Sequence, residues 1–173
     1  MQIPAPEIFK AYDIRGIVGQ TLTRDTVYQI GRAIGSEARA RRVKTVVVGR
    51  DGRLSGPELS GALMEGICAS GVDVVDIGMV PTPLGYFAAH HRKTGSAVMV
   101  TGSHNPPDYN GFKIMLAGDT LHSTAITALR TRLVEGRLAG GNGNIRQVDV
   151  RRDYLDRIVS DVKLSRKMKI VVD

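Results

Sequence analysis

Ser103 follows Gly102 at the end of an apolar run, Ala97-Val98-Met99-Val100, and begins a polar loop, His104-Asn105-Pro106-Pro107-Asp108, that leads back to Lys113. The apolar run reads as a buried strand and the turn formers after it as its exit. Pro106 and Pro107 lock their own φ and bias the residues before them away from helix, so the backbone beyond Ser103 is fixed and the hydroxyl is presented rather than buried. His104 and Lys113 supply donors and positive charge, which suits a hydroxyl that handles phosphate.

Other chemistries fit these residues less well. Adjacent side chains in an extended chain point to opposite faces, so His104 is badly placed to take the proton of Ser103. The local sequence, Thr101-Gly102-Ser103-His104-Asn105, also lacks the G-x-S-x-G elbow of many hydrolases. His90, His91, His104 and Cys68 have no spacing that matches a standard zinc pattern. His90 and His91 read instead as cations at a helix's C-terminal end, and Asp108 as a turn residue.

The elements that must hold the loop can be read in order. Residues 9–16, Phe-Lys-Ala-Tyr-Asp-Ile-Arg-Gly, suggest an edge strand with a turn after Arg15. Thr23 is placed to cap a helix with Asp25 in its first turn and Val27, Ile30, Ile34 and Ala38 on its buried face. Gly31 and Gly35 share one face of it and predict close approach of a neighbour. Residues 43–48 predict a buried strand ending in Gly49-Arg50-Asp51-Gly52-Arg53. Ser55 and Glu58 form a Ser-x-x-Glu capping box for a helix with Leu59, Leu63 and Ile67 inside and Gly71 beyond its end. A strand over 72–77 follows, and Thr82-Pro83 reads as N-cap and first residue of a helix reaching about His90.

Strands over 96–101 and 112–116 flank the serine loop, and Ala117-Gly118-Asp119 predicts a tight turn straight into a helix with Ile126, Leu129 and Leu133. Residues 136–144, Gly-Arg-Leu-Ala-Gly-Gly-Asn-Gly-Asn, match no phosphate-loop pattern and read as a flexible surface connection. Asp153 is placed to cap a helix with Tyr154, Leu155, Ile158 and Val162, and residues 168–172 read as one more strand. Alternating strands and helices predict a layered α/β/α domain with a mixed, largely parallel sheet. Ligands of such sheets gather beyond the strands' carboxyl ends, which makes the loops after Val48 and Val100 expected neighbours. The expected division is a domain over 1–150, then a connecting helix and first strand of a second domain over 151–173, the chain ending in mid-strand as a fragment would.

Composition narrows the partners. The 173 residues are 42% hydrophobic, enough for a real core, and 24 basic against 17 acidic residues give a net charge of +7. That charge fits nucleic acid, an anionic membrane or a phosphorylated small molecule. The basic residues are dispersed, however, and aromatics make up 5% with no tryptophan, so a stacking surface for nucleic acid is poorly supplied. No stretch approaches a membrane span, and the N-terminus lacks a signal peptide's basic and apolar blocks. The single cysteine, Cys68, lies in an apolar helical pattern that reads as core packing, and it agrees with a reducing compartment; the expected location is the cytoplasm.

Three segments in order carry a resemblance: Phe9-Lys10-Ala11-Tyr12-Asp13-Ile14-Arg15-Gly16, Gly49-Arg50-Asp51-Gly52-Arg53-Leu54-Ser55, and Thr101-Gly102-Ser103-His104-Asn105-Pro106-Pro107-Asp108-Tyr109-Asn110-Gly111-Phe112-Lys113. Together they closely resemble the phosphohexomutases, and most closely the bacterial phosphomannomutase/phosphoglucomutase branch. Phosphoglucosamine mutases usually carry Thr-Asp-Gly where this chain has Ala11-Tyr12-Asp13. The resemblance spans essentially the whole chain but only the first of that family's four domains.

It implies that Ser103 is phosphorylated in the resting enzyme and gives its phosphoryl group to one end of a hexose phosphate. The bisphosphorylated intermediate then reorients and the phosphate at its other end returns to the serine. By the same resemblance Arg15 contacts phosphate and Lys113 acts as acid or base near the transferring oxygen. Tyr12, His104 and Asn105 contact substrate and shape the pocket, while Arg50 and Arg53 either join them or brace the loop. A phosphoserine adds nearly two negative charges and calls for cations and a metal around it. The implied cofactors are Mg2+, held through the Ser103 phosphate, and a glucose 1,6-bisphosphate type activator. The family's other magnesium ligands lie in an Asp-Gly-Asp-x-Asp-Arg loop of the second domain, absent from this sequence. The expected partners are a phosphosugar and further domains of the same polypeptide, and the isolated chain is expected to show little or no mutase activity. A stand-alone phosphosugar-binding module without catalysis is the alternative.

Overall fold

Residues 3–172 are described by a computed structural model of the chain. Thr45–Arg50 (β2), Asp73–Met79 (β3) and Ala97–Val100 (β4) form the parallel centre of the sheet, with β2 between the other two. Their valine-rich runs are buried on both faces, as strands covered on each side must be. Val46 and Val48 point into one core while Val47 points into the other. Tyr109–Leu116 (β5) lies antiparallel to β4, and Ile14–Ile17 (β1) lies antiparallel to β5 at the edge. The expected α/β/α layering with a mixed sheet is present.

Arg24–Ala40 (α1), Gly56–Cys68 (α2) and Thr124–Val134 (α4) contribute to the larger core, which also takes Ile14, Val100 and Phe112. Thr82–His91 (α3) covers the opposite face through Leu84, Ala88 and Ala89. The Thr23 side chain caps α1, accepting from the Thr26 N–H, and Val27, Ile30, Ile34 and Ala38 are fully buried as their spacing predicts. The two longest helices meet backbone to backbone. A Cβ on Gly66 would collide with the Tyr28 carbonyl and one on Gly31 with the Leu63 carbonyl, so the α1–α2 approach needs both glycines. Glu37 of α1 ties this layer to α4 by accepting from Arg41 (2.8 Å) and Arg132 (2.6 Å). Burial works against its charge, yet those guanidinium contacts hold its pKa below the usual carboxylate value.

Several local expectations are overturned. No turn follows Arg15: β1 continues through Gly16 to Ile17, because pairing with residues 109–112 of β5 extends it, and the chain turns at 18–20. The Ser55-Glu58 capping box does not form, since the Ser55 hydroxyl accepts from Asn110 instead. Pro81 rather than Thr82 is the N-cap of α3, with Thr82 already helical. Ala117 and Gly118 both take positive φ and make a two-residue hairpin turn into a short strand, Asp119–Thr120 (β6), so α4 starts only at Thr124.

Residues 136–144 are not a free connection. The Gly141 and Gly143 amides donate to the end of α2, and Arg32 and Arg39 hold the Ala139 and Gly140 carbonyls. This places Ile145–Gln147 (β7) as an unforeseen parallel edge strand beside β3. The last helix, Arg151–Asp161 (α5), starts after Val150, and the Asp149 carboxylate, not Asp153, accepts from its first amide. The Arg151 guanidinium and amide bonded to Asp149 hold that carboxyl down to about 2. Residues 168–172 form no strand, because no sheet edge lies beside them to satisfy their backbone, and Ile170, Val171 and Val172 are exposed.

Candidate active site

The loops after β2 and β4 meet because their strands are parallel neighbours, as the sequence suggests. Arg50 is in register with Val100, and the Asp51 amide donates to the Val100 carbonyl at 2.9 Å. Ser103 is exposed and has φ +52°, in the left-handed region that a non-glycine residue enters at a cost. Its amide donates to the Thr101 hydroxyl at 2.9 Å. The loop therefore curls at Ser103 rather than running extended. The premise that placed His104 on the opposite face of an extended chain does not hold, yet among the described residues His104 makes no hydrogen bond to Ser103, so no hydrolytic pair forms.

Arg53 sits inside this curl. Its guanidinium donates to the carbonyls of Ser103 (3.2 Å), Asn105 (2.6 Å), Pro106 (2.5 Å) and Tyr109 (2.9 Å). Asp51 accepts from the amides of Arg53 (3.0 Å) and Gly102 (3.1 Å), joining the two loops from the other side. The Gly102 Cα lies so close to Arg53 that a Cβ there would overlap the guanidinium. Of the two readings open for Arg53, the structure supports the brace.

Strand β1 brings Arg15 to the same place. Arg15 pairs in register with Gly111, and its guanidinium donates to the Gly102 carbonyl and to the Asp13 carboxylate, with its side chain only 11% exposed. Asn105 Nδ2 donates to that same Gly102 carbonyl at 3.2 Å. Arg15, Asn105 and Ser103 are thus gathered on one peptide. His104 is exposed in the turn beside Ser103. Lys113 is half-buried opposite Met99 and alternates onto the α3 face, while Tyr12 stands 75% exposed in the bend before β1. Neither forms a hydrogen bond to the loop among the described residues. A cleft of about 610 Å³ beside the loop is lined by Val18, Leu54, Asn105 and Pro107 but not by Ser103, which faces outward.

Asn110 is a site residue that sequence reasoning did not single out. It is fully buried, its Nδ2 donates to Ser55 Oγ at 3.0 Å and its Oδ1 accepts from Gly111 N at 2.9 Å. Ser55→Ala is expected to leave that amide without a partner and cost about 1–3 kcal/mol in urea unfolding; a change near zero would mean that the bond contributes nothing. The groups set aside on sequence stay apart from the loop. Cys68 is half-buried against the larger core, and burial followed by the nearby Asp73 charge pushes its thiol pKa up. His90 and His91 end α3, where His91 stacks on Phe87 and lies 3.3 Å from Asp153. Among the described residues no three acidic, histidine or cysteine side chains converge as a metal site, and no helix is long and apolar enough to cross a membrane.

Residues 6–137 match the family profile described as phosphoglucomutase/phosphomannomutase, alpha/beta/alpha domain I. Over 171 residues, 99% of its length, the chain is 56% identical to the phosphomannomutase/phosphoglucomutase of Pseudomonas aeruginosa, covering 37% of that protein. It is 51% identical to a phosphoglucomutase of Neisseria meningitidis over 98% of its length, again 37% of the relative. The crystal structure of a phosphoglucomutase/phosphomannomutase family protein from Burkholderia thailandensis superposes with a TM-score of 0.91 at 55% identity, covering 94% of this chain and 37% of that one. The chain spans a little over a third of the length of the curated relatives it matches. A profile match over most of the sequence and a shared fold at this identity lead to one conclusion: the chain belongs to the phosphoglucomutase/phosphomannomutase family and carries that family's α/β/α domain I.

Proposed function

We propose that this chain is the phosphoserine-bearing domain of a phosphohexomutase that interconverts hexose 1-phosphate and hexose 6-phosphate, of mannose or glucose. The observation that carries the proposal is the outward, left-handed Ser103 beyond the carboxyl end of β4, with Arg15 delivered by β1 to the adjoining peptide. In the first half-reaction the bond from phosphorus to Ser103 Oγ breaks as a bond to a sugar hydroxyl oxygen forms. The proton of that hydroxyl passes to a base and Ser103 Oγ takes up a proton. After the bisphosphate reorients, the same steps run backwards from its other phosphate.

Arg15 balances phosphoryl charge, Lys113 exchanges the proton, and Tyr12, His104 and Asn105 contact the sugar phosphate. Phosphoserine oxygens are hard donors of the kind Mg2+ takes, and this chain would contribute only that ligand. Bound there, the ion would neutralise charge spreading over the transferring group. The remaining metal ligands and sugar contacts would come from further chain, as would the activator's second phosphate site.

The test is a turnover assay with glucose 1-phosphate, glucose 1,6-bisphosphate and magnesium, run on the longest form the gene encodes and on these 173 residues. The longer form is expected to turn over, the present chain to show little or no activity, and Lys113→Met to lower kcat in the longer form by about a hundredfold or more. Phosphosugar binding without turnover in the longest form would favour a binding module instead.

A further inference from the structure

We propose that Arg53 is a positioning residue that holds Ser103 in its left-handed presentation, through the fork of its guanidinium rather than through its charge. Its importance to catalysis rests on the phosphotransfer reading above, whereas its grip on the loop does not. Four carbonyls, those of Ser103, Asn105, Pro106 and Tyr109, converge on one guanidinium, and no other side chain makes more than one of these contacts among the described residues. Pro106 and Pro107 have no amide to donate, and although the Tyr109 amide also reaches the Pro106 carbonyl at 3.0 Å, the recorded donor to the other three carbonyls is Arg53. Arginine alone offers five donors in a fixed plane.

The position of that plane is itself fixed. Asp51 Oδ1 accepts from the Arg53 amide, Asp51 Oδ2 from the Gly102 amide, and the Arg53 Nε lies 3.5 Å from Asp51. The guanidinium then lies under Gly102, where any Cβ would displace it. The carbonyl of Ser103 is thus drawn inward while the Ser103 side chain stays exposed. At φ +52° Ser103 has one short-range side-chain bond, from its amide to the Thr101 hydroxyl, and loss of the Arg53 anchor on its carbonyl releases it towards negative φ. With the four hydrogen bonds of its guanidinium on backbone carbonyls, Arg53 is committed to the loop, whereas Arg15 is the cation whose partner at the loop is a single carbonyl.

The experiment compares Arg53→Lys and Arg53→Met in the longest encoded form for kinetics and in the present chain for NMR. Lysine keeps the charge and the packed stem but cannot span four carbonyls. The intraresidue HN–Hα NOE of Ser103, strong only at positive φ, is expected to be strong in the parent protein and weakened in both variants. Both variants are expected to lose about tenfold to a hundredfold in kcat with KM changed less than about twofold, as displacement of a nucleophile by an ångström does. Wild-type kcat in Arg53→Lys would overturn the role of the fork. An unchanged NOE in both variants, or global unfolding of both, would overturn the positioning role. If the parent protein exchanges no phosphate, the functional reading falls and the NOE alone decides whether Arg53 holds the serine.

Discussion

Ser103→Ala is expected to lower hexose phosphate interconversion by at least about a thousandfold, because it removes the atom proposed to carry the phosphoryl group while leaving the fold intact. The side chain is exposed and the recorded bonds of Ser103 are made by its amide and its carbonyl, both of which alanine keeps, so the unfolding midpoint should stay where it is in the parent protein. Ser103→Gly sharpens the comparison. At φ +52° glycine removes the left-handed strain that serine bears, so this variant is expected to be as inactive as the alanine variant yet no less stable. Activity retained by either would move the nucleophile elsewhere, and a large loss of stability in the alanine variant would make Ser103 a structural residue.

Phe112→Ala is expected to cost about 3–5 kcal/mol in denaturant unfolding. The ring is fully buried in the larger core, and its residue is in register with Ile14 on one side and Val100 on the other. It therefore fastens together the strand that carries Arg15 and the strand that ends at the serine loop. Against the 5–15 kcal/mol typical of a domain, that loss is a large fraction of total stability. The cavity left by the ring would also loosen the register on which the site depends. A cost below about 1 kcal/mol would mean that β5 is not anchored through this residue.

What could be read in the sequence follows from how locally each feature is determined. Val27, Ile30, Ile34 and Ala38 announce their helix because helical spacing and a capping threonine act over one or two turns. The valine runs announce buried strands, and strand–helix alternation gives the layered sheet and the meeting of the loops after β2 and β4. Ser103 could be located because a strand end followed by two prolines is a local signal.

Its left-handed backbone could not be foreseen, since serine does not ask for it and the anchor is fifty residues away at Arg53. Ser55 failed as a helix cap for the same kind of reason: Asn110, far along the chain, competes for its hydroxyl. β6 and β7 are too short to have a period. Residues 168–172 have every local mark of a strand, and local marks do not supply a sheet edge to pair with. The family resemblance supplied roles for Arg15 and Lys113 that spacing alone cannot, and it left Arg53 undecided until its four carbonyls were seen.

The proposed role of Ser103 is to carry the phosphoryl group between substrate molecules. Glucose 1,6-bisphosphate labelled with radioactive phosphate, given briefly to the longest encoded form with magnesium and then chased with unlabelled hexose 1-phosphate, tests it directly. The expected result is label on a peptide containing Ser103 after the pulse, its passage into hexose bisphosphate and then hexose 6-phosphate during the chase, and no labelled protein with Ser103→Ala. Label that bypasses the protein altogether, or that persists undiminished on the protein when Ser103 is alanine, would contradict it.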